Sequence, residues 1–187
     1  MTRPFAFSFL LALPSLAAPV TSHSLDVETG LLAQTGSSTP IDYRIVPTQL
    51  SWRSPAVISR QLENGSALLL RNRISLLTYS IVEGPESHYI GFSAAPSIEW
   101  WCPSNRWSLN LAVGGGAGLI DSTDTEGGQG QDFTFNWFAR LGMEHKLSDQ
   151  LSLIGSLTFQ HFSNMGATDP NPGIDVSGLT FGASYSF

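Results

Sequence analysis

Apolar and polar side chains alternate along most of this chain. In residues 66–80, Leu68, Leu70, Ile74 and Leu76 fall on even positions, and Arg71, Arg73 and Ser75 on odd ones. Residues 87–101 repeat the pattern, with Ile90, Phe92, Ala94, Ile98 and Trp100 against Tyr89, Gly91, Ser93, Ser97 and Glu99. The same period of two runs through 107–120, 132–147, 151–163 and 176–187. Period two is the mark of a β-strand with two unlike faces. Two earlier strands are predicted at 25–34 and 42–52, the first on a weak pattern and the second with Pro47 inside it. Proline lacks the N–H that a ladder needs. Residues 53–65 read as a connector.

One face of these strands is apolar and aromatic. The other is small and polar, and carries charges such as Arg71, Glu99, Arg140 and Glu144. In a soluble sandwich the apolar face turns inward; in an outer-membrane barrel it meets lipid and the polar face lines the interior. Several runs are longer than the five or six residues usual in soluble proteins. They reach the roughly 9–11 residues that cross a bilayer at a tilt. Short turns at 102–106 and 148–150 alternate with longer polar loops at 81–86, 121–131 and 164–175, and the chain ends on Tyr185-Ser186-Phe187. The 53–65 connector breaks that rhythm. The expectation is an all-β fold, an eight-stranded antiparallel transmembrane β-barrel of outer-membrane type.

The N-terminus supports export. Arg3 precedes an apolar run from Phe5 to Leu16, and Ser15-Leu16-Ala17-Ala18 offers small residues for cleavage. Residues 1–18 are read as a signal peptide and 19–187 as the barrel domain. The formal net charge of −6 and the absence of a basic patch argue against nucleic acid as a partner. Cys102 is the single cysteine, so no internal disulfide forms, and no Cys/His cluster has metal spacing. Asp121, Asp124 and Glu126 lack a calcium-loop pattern and read as solvated loop charge. Trp100, Trp101 and Trp107 are expected in an aromatic girdle at the membrane interface. His88 and His145 are read as loop-end and interfacial residues.

Candidate chemistry gathers near the end of the chain. His161 and Ser163 share the parity of Leu153, Leu157 and Phe159, so both point outward, toward lipid. Asp175 shares the parity of Leu179, Phe181 and Tyr185 on the last strand. Polar groups on a lipid-facing wall are costly, which favours a functional reading. Residues i and i+2 on one strand face lie roughly 6.6–6.8 Å apart at Cα, within reach of an imidazole and a hydroxyl. The chemistry is acyl transfer: Ser163 as nucleophile, His161 as base, Asp175 orienting the imidazole. Asn164 and the backbone N–H of Gly166 are the expected oxyanion donors. The competing reading is a non-catalytic structural or adhesive outer-membrane barrel with His161 and Ser163 decorating its rim. A third is an esterase or acyltransferase acting on another lipid.

His161-Phe162-Ser163-Asn164, followed by Pro170-Asn171-Pro172-Gly173-Ile174-Asp175, resembles the motif of the lipid A 3-O-deacylase (PagL) family. That pattern is His, aromatic, Ser, Asn, then a Pro/Asn/Gly loop and Gly-Ile-Glu, with the same spacing from His to the acid. The stretches 111–119 and 140–142 also look similar. The resemblance implies removal of the ester-linked acyl chain at the 3-position of lipid A, in the outer leaflet of the bacterial outer membrane. It implies no cofactor and no metal, and it is compatible with a homodimer. Asp175 stands where the family has Glu, one methylene longer, with Asp169 as the alternative acid.

Overall fold

A computed structural model describes residues 22–36 and 41–187. The expected signal peptide lies outside the described residues. Nine strands follow one another: β1 (Ser24–Gln34), β2 (Arg44–Arg53), β3 (Ile58–Gln61), β4 (Ala67–Glu83), β5 (His88–Trp101), β6 (Trp107–Ile120), β7 (Phe133–Lys146), β8 (Leu151–Ser163) and β9 (Ile174–Ser186). All pair antiparallel with their neighbours, β1 pairs with β9, and the β2–β4 pairing closes the ring. The barrel therefore has eight strands, with β3 as an extra piece.

The 53–65 connector differs from its expected form. Val57 N–H donates to Leu70 O, and Ile58 to Gln61 pair with Leu70 to Ala67. The segment thus continues β2 along the same edge of β4 after an interruption at Ser54-Pro55. The true turn is short, closed by Leu62 N–H to Ser66 O. Proline leaves its mark elsewhere too. The β1–β2 ladder skips the positions around Pro47, and the β5–β6 ladder skips those around Pro96, although the register on either side is continuous.

The outer wall is apolar throughout. Leu76 is 62% exposed and Phe181 60%, with similar side chains on every barrel strand. A continuous apolar surface of this extent needs an apolar solvent. Trp100 and Trp107 face outward as expected, but Trp101 does not. Its parity turns it inward, where its Nε1–H donates to Glu99 and Lys146 lies 4.4 Å over its ring.

The interior is divided by height. At its middle sits an ion network balanced in charge: Arg53, Arg71, Arg73 and Arg140 against Asp26, Glu28, Glu99 and Glu144, all buried. Arg53 is its centre, within 3.0 Å of Asp26 and 2.9 Å of both Glu99 and Glu144. Arg73 and Arg140 both reach Glu28, at 2.6 and 2.7 Å. Above it, toward the longer loops, the interior becomes apolar. Leu32, Tyr43, Ile45, Leu77, Tyr79, Tyr89, Phe162 and Ile174 are among the side chains of a plug with hardly any exposed surface. At the level of the plug the lining is mixed, with Asn136 and Gln160 buried against Tyr89 and Tyr79; below it the lining is polar, as alternation predicts.

Candidate active site

His161 and Asp175 are Cα partners across β8 and β9. Both side chains leave the barrel on its outer wall, close to the long-loop end. Imidazole Nδ1 and carboxylate Oδ1 are 2.6 Å apart, with the two side chains 25% and 22% exposed. A separation this short belongs to a charge-assisted hydrogen bond. It fixes the ring and leaves Nε2 as the nitrogen available to a serine proton. The shorter acid therefore reaches the imidazole without help, because its strand partnership places the two Cα atoms directly opposite. Strand β9 begins one residue before Asp175, earlier than the pattern alone suggested, and this keeps Asp175 in the ladder. Asp169 lies in the exposed part of the following loop and takes no part in this contact.

Ser163 is the last residue of β8, partly exposed, on the same face as His161. Its Cα partner is Phe135 on β7. No hydrogen bond joins its hydroxyl to His161 in this structure. Such bonds are often loose in a free enzyme and tighten around substrate.

The backing of the site is rigid. Phe162, between His161 and Ser163, points inward and packs edge-on against Tyr79 and Tyr89, at 6.1 and 4.8 Å between ring centroids. Ile174, next to Asp175, joins the same plug. On the outer wall Trp137 of β7 is the Cα partner of His161, completing a row Trp137–His161–Asp175 over three strands. Trp137 was legible in the sequence only as an outward aromatic; its position beside the imidazole comes from register. Below this row on β8 comes Phe159, and below that Leu157, Leu179 and Leu31 are aligned on β8, β9 and β1.

Asn164 and Gly166 do not sit as expected. The Asn164 side chain is completely buried. Its Nδ2 donates to Gln129 O at 2.6 Å and Thr168 O at 2.9 Å, while its Oδ1 accepts from Gly166 N–H at 2.8 Å. Its own backbone N–H donates to Asn171 Oδ1 at 3.0 Å. The donors foreseen for an oxyanion are thus spent on folding the 164–173 loop and tying it to the 121–132 loop. A buried amide must satisfy its donors, and loop carbonyls are the acceptors at hand.

The loops above the barrel form one hydrogen-bonded cap. Glu86, 3% exposed, accepts from Tyr43 Oη and Ser122 Oγ, both at 2.8 Å, and from Gln129 N–H at 3.2 Å. Burial raises the Asp121 carboxyl, but the hydrogen bond from Ser87 Oγ, with those from the backbone N–H groups of His88 and Ser87, both at 2.9 Å, holds it below the usual range. Asp121 therefore braces loops, and His88 beside it belongs to the same brace. His145 stacks on Trp107 at 4.0 Å near the opposite end of the barrel, far from the His161 row. Among the described residues no group of three or more His, Cys, Asp or Glu side chains has the arrangement to hold a metal ion.

A closed eight-stranded barrel with an apolar outer wall, bearing a His–acid pair and a serine on the rim of that wall, defines a β-barrel of outer-membrane type. The chain belongs to the lipid A 3-O-deacylase (PagL) family, whose model matches residues 43–184. It is similar to lipid A deacylase PagL of Bordetella bronchiseptica, with 30% identity over 142 residues and 74% of each chain covered. Its fold is similar to the crystal structure of the outer membrane enzyme PagL, with a TM-score of 0.60 and 18% identity over 86% of this chain and 98% of that one. It is also similar to Neisserial surface protein A, at a TM-score of 0.54 and 11% identity over 91% and 100% of the two chains. At these identities the structural likenesses speak for the barrel; the family match speaks for the kind of protein.

Proposed function

We propose that this protein hydrolyses the ester-linked acyl chain at the 3-position of lipid A from the outer leaflet of the bacterial outer membrane, with Ser163, His161 and Asp175 as its catalytic triad. The observation that carries the reading is the His161–Asp175 contact of 2.6 Å on a lipid-facing wall, with Ser163 on the same face of the same strand. Membership of the deacylase family supplies the substrate class.

Ser163 Oγ attacks the ester carbonyl carbon while His161 Nε2 takes its proton. Asp175 keeps the imidazole in the tautomer with Nδ1–H and stabilises the imidazolium. The tetrahedral intermediate then collapses as His161 returns the proton to the departing sugar oxygen. Water repeats the sequence on the acyl-serine and releases the fatty acid. In this reading Asn164 and Gly166 serve the oxyanion by exchanging a loop acceptor for the substrate oxygen. The site lies four residues, about 13 Å along the strand, above the Leu157–Leu179 row. An acyl chain can therefore descend the apolar wall while its ester stays at the rim.

Mass spectrometry of lipid A from cells producing the wild type or Ser163→Ala tests the proposal. Loss of one 3-linked acyl chain with the wild type, and not with the variant, is the expected result. Unchanged lipid A, with the barrel folded in the outer membrane, would leave a non-catalytic barrel or a different lipid ester as the better reading.

A further inference from the structure

Trp137 stands out among the outward aromatics. Other outward aromatics also pair, Phe133 with Phe135 and Trp107 with His145, but Trp137 lies in the row of the site. Its ring centroid is 5.9 Å from that of His161, with the planes 35° apart. The indole also meets Phe159, two residues before His161, at 4.9 Å. Its partner on β6 is Gly115, where even a Cβ would come within 3.4 Å of the Trp137 Cβ. The indole thus has an open flank on β6 and two aromatic contacts on β8, and it leans toward β8.

The imidazole is enclosed accordingly. Asp175 of β9 holds Nδ1, Trp137 of β7 flanks the ring, and Gly173 of the outer loop closes near Cε1, where an added Cβ would stand 3.5 Å away. Asp175 is the charged group facing the imidazole from β9. Strand β7 presents the indole, β8 itself presents Ser163 and Phe159, and the loop presents glycine backbone. When His161 accepts the serine proton, a positive charge appears at a water-poor boundary. The nearest countercharge is then the Asp175 carboxylate, and the nearest π-face is Trp137. A cation within about 6 Å of an indole centroid is attracted by the ring quadrupole.

We infer that Trp137 is a positioning residue for the hydrolysis, its indole flanking the His161 ring and holding it in place for Ser163. This rests on the triad reading above. An ordinary girdle tryptophan, such as Trp107 beside His145 at the other end of the barrel, anchors the barrel in the interface and leaves the hydrolysis alone. A positioning indole does not.

The test compares the full-length, detergent-refolded wild type with Trp137→Leu, Trp137→Phe and Ser163→Ala on lipid A in mixed detergent micelles. Heat-modifiable gel mobility confirms that each barrel is closed. Removing an attraction to the protonated ring makes the ring easier to deprotonate. The acid limb of kcat/KM against pH therefore moves toward lower pH in Trp137→Leu, by about half a unit, and kcat at the optimum falls about 5–30-fold. Trp137→Phe keeps a π-face and lies between the two in both respects. An inactive wild type, or an active Ser163→Ala, refutes the triad reading itself. An active wild type and dead Ser163→Ala, with Trp137→Leu showing an unmoved acid limb, refutes this inference alone and returns Trp137 to the girdle. A folded Trp137→Phe that behaves like Trp137→Leu also overturns it, since the π-face would then contribute nothing.

Discussion

Asn164 and Gln129 are joined by a 2.6 Å hydrogen bond from a side-chain amide to a main-chain carbonyl, 35 residues away in sequence. Through it, the residue after the proposed nucleophile is fastened to the loop between β6 and β7. Glu86 fastens that loop in turn, by accepting from Gln129 N–H and Ser122 Oγ. The position of Ser163 is therefore set from two directions, by the β8 ladder below and by the cap above.

Replacing Asn164 by Ala removes at once every side-chain hydrogen bond of a fully buried amide, those to Gln129, Thr168, Pro170 and Gly166. Each buried partner left unsatisfied costs about 1–3 kcal/mol, concentrated in the 164–173 loop. The loop is expected to become cleavable by protease while the barrel stays heat-modifiable. Turnover is expected to fall by about 10²–10³, the range for loss of an oxyanion donor. Limited proteolysis beside a lipid A assay checks both halves.

Asp175→Asn keeps the size of the group but removes its charge. Without the carboxylate the imidazolium loses its support and Nδ1–H its preferred acceptor, so kcat should drop by about 10²–10⁴. Asp175→Glu restores the residue that the family motif carries and keeps the charge. Activity within about tenfold of wild type is expected, and single-turnover rates of the two variants make the comparison.

Arg53 touches Asp26, Glu99 and Glu144 inside the barrel. Truncating it leaves those carboxylates short of their shared cation, a loss of about 3–5 kcal/mol when a buried pair is broken. Arg53→Met should refold at lower urea than wild type, read by the folded band on an unheated gel. A double variant that also neutralises Glu144 should regain part of the loss.

Asp121 binds the start of β5 to the loop after β6, and its carboxyl titrates below its ordinary range. A carboxyl depressed by folding contributes stability that is present above its unfolded pKa and lost as pH falls through its folded value. Acidification below about pH 4 is therefore expected to loosen the 84–87 and 121–132 loops, starting from the unfolded carboxylate value. Asp121→Asn should show much of that loosening at neutral pH. Hydrogen exchange at the Ser87 and His88 amides reads it directly.

Strand pattern and site were unequally legible. Alternation located the strands from β4 to β9 within a few residues and assigned the outward face of His161 and Ser163 correctly, because side-chain direction depends only on position along one strand. It failed at 53–65, where a four-residue strand is too short to show a period. The girdle reading misplaced Trp101, whose parity is opposite to that of its outward neighbour Trp100. Arg53 fell inside the supposed connector, and nothing local marked it as the centre of the ion network.

Parity, strand length and the His-x-Ser spacing were determined by the sequence alone, since each follows from the geometry of a single extended chain. The tertiary structure decided the rest. The β8–β9 register set Asp175 and not Asp169 opposite His161, the β7–β8 register set Trp137 on the other flank, and closure of the barrel filled the upper interior with an apolar plug. Loop packing fastened the side chain of Asn164 into the cap. These outcomes depend on which strands and loops meet across the barrel. That is settled by register and by the need to satisfy every buried donor and acceptor together, a condition that no single segment carries within itself.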